Sequence, residues 1–138
     1  MLGIKRMDHV CMVVPKLDDR LPMLTELFGM KLVGRWENPA AGYNGATLDV
    51  PGGNTQWELL EPSGEDSFLV KFLSDRGPGL HHVTFEVESV ERATVVLNER
   101  GLQPFGGRDY KGYKEVFIHP QGSGGVLFQL YEGDFVEG

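Results

Sequence analysis

The sequence predicts an α+β fold built from two tandem βαβββ modules in one domain. Three observations carry that expectation. DHVCMVV (8–14) and HHVTFEV (81–87) superpose, with His9 on His82; each is followed by an amphipathic stretch ending at a glycine; and a polar residue interrupts the last strand of each half at matching places. The two histidines stand 73 residues apart, which is too long for a solenoid repeat and fits a duplicated unit of about half the chain. Neither copy is large enough to bury much of a core alone, so the two are expected to pack as one unit.

The elements follow in order. MDHVCMVV (7–14) alternates as a strand, and LDDRLPMLTELFGMKL (17–32) reads as an amphipathic helix stopped by Gly29. KLVGRWE (31–37), GATLDV (45–50) and TQWELLEP (55–62) read as three more strands separated by turn residues. That completes module 1, about residues 5–62. A linker of about 63–78 holds a short helix that Ser63 or Ser67 caps and that Gly77 and Pro78 end. Module 2, about 79–132, repeats the pattern: LHHVTFEV (80–87), a helix in VERATVVLNERGLQPF (90–105) stopped by Gly101, a weaker strand near LQPFG, then YKEVFIHP (113–120) and GVLFQLYE (125–132). The whole of 1–138 is read as a single domain.

Strand alternation then sorts the side chains. His81 shares a face with Val83, Phe85 and Val87, whereas His82 lies with Thr84 and Glu86. In QWELL, Trp57 and Leu59 form the apolar face and Glu58 points the other way; Val126, Phe128 and Leu130 form it in VLFQLY, with Gln129 opposite. Glu58 follows His9 by 49 residues and Gln129 follows His82 by 47. The duplication thus nominates one histidine and one oxygen donor per copy: His9, Glu58, His82 and Gln129. Two imidazoles, a carboxylate and an amide oxygen suit Zn, Co, Ni, Mn or Fe(II) rather than Ca, with positions open to a substrate. His81 and His119 receive structural roles, Glu86 a solvated or supporting one, and the glycines of QGSGG a hairpin instead of a phosphate cradle.

Composition narrows the partners. The formal net charge of −7 and pI near 5.0, with no clustered basic stretch, exclude nucleic acid as an expected partner. An anionic small molecule would need Arg35, Lys71, Arg76, Arg108, Lys111 and Lys114 to gather in part. No apolar run is long enough for a membrane span, and the start carries no signal-peptide pattern. The single cysteine, Cys11, cannot form an internal disulfide, which agrees with a reducing, cytoplasmic setting.

WELLEPSGEDSFLVKFLSDRGPGLHHVTFEV and FIHPQGSGGVLFQLYE resemble the central and C-terminal segments of methylmalonyl-CoA epimerases, a family of the vicinal oxygen chelate superfamily that also holds glyoxalase I, extradiol dioxygenases and bleomycin-resistance proteins. The resemblance covers most of residues 7–132 and is weak between 35 and 50. It implies a glyoxalase-like domain with a cupped mixed sheet, an acyl-CoA as substrate, a homodimer, and a divalent ion (Co, Mn, Zn, Ni or Fe) held by His9, Glu58, His82 and Gln129. It also implies proton abstraction next to a thioester carbonyl by carboxylate bases. Here this chain departs from the family: Gln129 occupies the position of a metal-linked glutamate, and an amide takes no proton at neutral pH. The loop ENPAAGYNG offers only Glu37 near the place of the second glutamate. Glu58 and Glu37 are therefore the expected catalytic pair. The alternatives are another lyase or isomerase of the glyoxalase I type, an Fe(II) dioxygenase, or a small-molecule-binding protein.

Overall fold

The computed structural model of the protein describes residues 1–135. Its elements run β1 (Ile4–Val13), α1 (Leu17–Pro22) continued by a π-helical turn (Met23–Leu27), β2 (Lys31–Asn38), β3 (Tyr43–Asp49), β4 (Gln56–Pro62), α2 (Phe68–Arg76), β5 (Gly79–Val87), α3 (Val90–Glu99), β6 (Pro104–Phe105), β7 (Asp109–Tyr110), β8 (Tyr113–Ile118), α4 (Pro120–Ser123) and β9 (Leu127–Glu132). The chain divides into two compact units, one of residues 9–81 and one of residues 1–8 with 82 onward. The linker helix falls in the first and the start of β1 in the second.

In the 9–81 unit the strand order is β2-β3-β4-β1, with β4 parallel to β1 and the other pairs antiparallel. Trp57 and Leu59 turn from β4 onto α1, where Leu17, Leu21 and Leu24 complete a core with Ala46 and Leu48. The expected single helix changes pitch because Pro22 lies inside it and has no N–H to donate. The widened turn closes with Phe28 N donating to the Met23 carbonyl at 3.1 Å. Gly29 then stops the helix at φ 71°.

The opposite face of this sheet is also partly apolar. Cys11, Val13 and Leu60 pack under Leu69 of α2, with Trp36, Tyr43 and Phe72 around them. Ser67, not Ser63, caps α2, accepting from Leu69 N at 3.2 Å. Trp36 lies across its strand partner Gly45, where an added Cβ would fall 2.2 Å from the indole ring. Gly45→Ala is therefore expected to lower stability by about 1–3 kcal/mol through overpacking, measured as a shift in the denaturant midpoint without change of slope.

In the other unit the order is β1-β5-β9-β8-β6, with β7 on β8, and β9 runs parallel to β5. Phe85 and Val87 from β5, Val116 and Ile118 from β8, and Phe128 and Leu130 from β9 bury against Val90, Ala93 and Leu97 of α3. Ser89 caps α3 by accepting from Arg92 N. Two readings shift in detail. Val126 lies ahead of β9 and is exposed, so it is not part of the apolar set. QGSGG is no plain hairpin, since its first residues continue a one-turn helix capped by His119, whose Nδ1 accepts from Gln121 N at 3.1 Å. Each unit thus holds an open, mixed sheet backed by helices, an α+β arrangement, and no described helix is long and apolar enough to cross a membrane.

Candidate metal centre

β1 carries His9 and Cys11 on one face, and its parallel register with β4 sets Cys11 beside Glu58. The β3–β4 register adds Thr47, the cross-strand partner of Glu58. His9 is buried at 7% exposure, and its Nε2 faces Glu58 Oε2 at 3.9 Å. That separation is too long for a hydrogen bond. It falls within the range of about 3–4 Å that separates two donors each bonded at about 2.0–2.2 Å to one ion. The donor pair therefore fits a metal.

Cys11, fully buried, has its thiol pushed well above the ordinary range, first by burial and then by the negative charge of Glu58. A thiol so held stays protonated at neutral pH and is a poor nucleophile. In the folded protein Cys11 is expected to resist iodoacetamide over a time in which the unfolded chain reacts fully, as read by intact mass.

In the other unit His82 opens the polar face of β5, two residues before Thr84, and Thr84 stands opposite Gln129 of β9. Thr84 Oγ1 donates to Gln129 Oε1 at 2.8 Å. Both side chains are buried. On the far side of the amide, Gln129 Nε2 donates to Glu115 Oε1 at 3.1 Å and lies 3.3 Å from the Tyr113 hydroxyl. Glu115 went unnoticed in the sequence, although alternation in YKEVFI puts it with Tyr113 and opposite the core residues Val116 and Ile118. Burial, then the bond to Glu115, raises the Tyr113 phenol far above its ordinary value. A second polar group lies on this unit's stretch of β1: the Tyr131 hydroxyl donates to Asp8 at 2.7 Å, and Arg6 reaches Tyr131 at 3.1 Å and Glu86 at 3.0 Å. Glu86 is thus ion-paired.

Other expected residues land away from these groups. Glu37 is exposed on β2 and pairs through Asn44 with Glu61, on the face of the sheet opposite Glu58. His81 packs its ring against Phe68 and Phe72 of α2, with centroids 6.4 and 5.2 Å away. Its apolar neighbours are therefore those of the linker helix. Burial, then Arg76, lowers its pKa. Three of the basic residues are ion-paired separately, Arg35 with Asp18, Lys71 with Asp75 and Arg108 with Glu115, while Arg76 and Lys111 lie over the rings of Phe72 and Tyr110.

Residues 8–118 match the glyoxalase/bleomycin resistance protein/dioxygenase superfamily. The chain belongs to that superfamily. Within it, the chain is 32% identical over 133 residues to the ethylmalonyl-CoA/methylmalonyl-CoA epimerase of Cereibacter sphaeroides, covering 92% of this chain and 97% of that protein. A crystal structure of methylmalonyl-CoA epimerase from Mycobacterium tuberculosis superposes with a TM-score of 0.81 at 32% identity, over 96% of this chain and 90% of that one. A methylmalonyl-CoA epimerase in complex with methylmalonyl-CoA and NH4+ superposes with a TM-score of 0.78 at 27% identity, over 98% and 99%. The chain thus has methylmalonyl-CoA epimerases, which are isomerases, among its homologues, and its α+β fold agrees with theirs.

Proposed function

We propose that the protein is a metal-dependent epimerase of an acyl-CoA, methylmalonyl-CoA or a near relative, and that His9, Glu58, His82 and Gln129 hold its divalent ion. The observation that carries the reading is the His9–Glu58 pair, two metal-type donors facing each other at 3.9 Å, with His9 buried and Glu58 partly open to solvent. The epimerase homologues supply the substrate class.

A divalent ion there would supply Lewis-acid stabilisation of the negative charge that develops beside a thioester carbonyl. The protein's own part is to position and to move a proton. Glu58 is the acid-base group of the set, since Gln129 cannot accept a proton. Glu37, on the other face of its sheet, is not placed to share that role. His9 and His82 serve as neutral ligands, and the buried thiol of Cys11 lies against Glu58 as an uncharged neighbour. A cytoplasmic homodimer is the setting that agrees with the single cysteine and the family likeness.

The test is metal content of protein purified without chelator, followed by deuterium exchange from solvent into methylmalonyl-CoA. Bound metal with exchange is the expected result. Full metal loading without exchange into any acyl-CoA would remove the epimerase reading, and bound iron with oxygen uptake would replace it by a dioxygenase.

A further inference from the structure

Glu115 of β8 is nearly buried, with its side chain 8% exposed. Its Oε1 receives the Tyr113 hydroxyl at 2.5 Å and Gln129 Nε2 at 3.1 Å, and Arg108 Nη2 approaches to 3.6 Å. On the other side of the same amide, Thr84 Oγ1 donates to Oε1 at 2.8 Å. An ionised carboxylate only accepts hydrogen bonds, so the nitrogen of the amide must face Glu115 and the oxygen must face Thr84. Turned over, the amide would set its oxygen against the carboxylate. Thr84 uses one lone pair of Oε1 and leaves another for a ligand bond. Donation from Nε2 to a charged acceptor also polarises the amide toward its oxygen.

We propose that Glu115 is a positioning residue for metal binding: it fixes the Gln129 amide with oxygen, not nitrogen, available as donor, and it carries next to Gln129 the negative charge that an amide lacks. The inference rests on the reading that Gln129 is a metal ligand. Groups that orient a metal ligand commonly change metal affinity 10- to 100-fold when removed.

The test uses the full chain, stripped of metal and titrated with Co2+ alone, with thermal unfolding of the stripped proteins alongside. Wild type is compared with Glu115→Ala, Glu115→Gln, Gln129→Glu and the double variant Glu115→Gln/Gln129→Glu. Glu115→Ala is expected to weaken Co2+ binding by roughly 10- to 100-fold, and Glu115→Gln to weaken it also, with unfolding temperature nearly unchanged. Gln129→Glu alone sets two carboxylates against each other in the stripped protein, so its unfolding temperature is expected to fall and that of the double variant to recover, with non-additive effects on Co2+ affinity across the cycle. Wild-type affinity in the Glu115 variants, or strictly additive effects in the cycle, would overturn the proposal. Should Glu115→Ala not fold, the near-isosteric Glu115→Gln and the cycle decide the matter. A wild type that binds no Co2+ would remove the functional reading together with this one; tight binding by wild type and Glu115 variants alike would remove only this one.

Discussion

Glu58→Gln is expected to slow deuterium exchange into methylmalonyl-CoA by roughly a hundred- to ten-thousand-fold while leaving most of the bound metal in place. The substitution keeps an oxygen donor of the same reach opposite His9 Nε2, now 3.9 Å from the carboxylate. What it removes is the proton acceptor. Gln129 cannot take over, because an amide accepts no proton at neutral pH. Glu37 cannot either, since its strand position sends it to the opposite face. The local fold should tolerate the change, as Cys11, the cross-strand neighbour of Glu58, is a buried thiol rather than a cation that needs the carboxylate. Measuring metal content and exchange on the same preparations separates the two roles. Undiminished exchange would show that Glu58 is not the base.

Much of this arrangement was legible in the sequence because strand periodicity is local. The alternation in QWELL sent Trp57 and Leu59 to the α1 core and Glu58 to the other face, and the structure packs them so. The same holds for Phe128 and Leu130 against α3, with Gln129 opposite. Features set by pairing between distant segments were not legible. Glu115 stands across from Tyr131 in the β8–β9 register and reaches Gln129 diagonally, and nothing in a single strand announces which side chains of the next strand lie within reach. The cover of Leu60 and Cys11 by α2 was missed for a similar reason. Alternation says which residues share a face, not which helix lies on it. The change of pitch after Pro22 was foreseeable from the missing N–H, but a mid-helix proline can kink, stop or widen a helix. Composition does not choose among these.

The adjacent histidines give the second large effect. His82→Ala is expected to weaken metal binding on the order of a hundredfold or more, since even groups one step removed from a metal cost 10- to 100-fold, and to abolish exchange with it. His81→Ala is expected to retain metal. His82 opens the polar face of β5 that continues to Thr84 and its partner Gln129, whereas the His81 ring is stacked among Phe68 and Phe72. The cost of His81→Ala is therefore one of packing, about 1–3 kcal/mol for a half-buried ring, seen in thermal unfolding and not in metal content. Cys11 Sγ lies within 4.8 Å of a His81 ring nitrogen, so a thiol-containing centre at His81 is the rival that this pair of variants tests. Burial and Glu58 hold that thiol protonated, which disfavours it as a ligand beside the His9–Glu58 pair. Loss of metal in His81→Ala with retention in His82→Ala would reverse the assignment and move the centre to the thiol side.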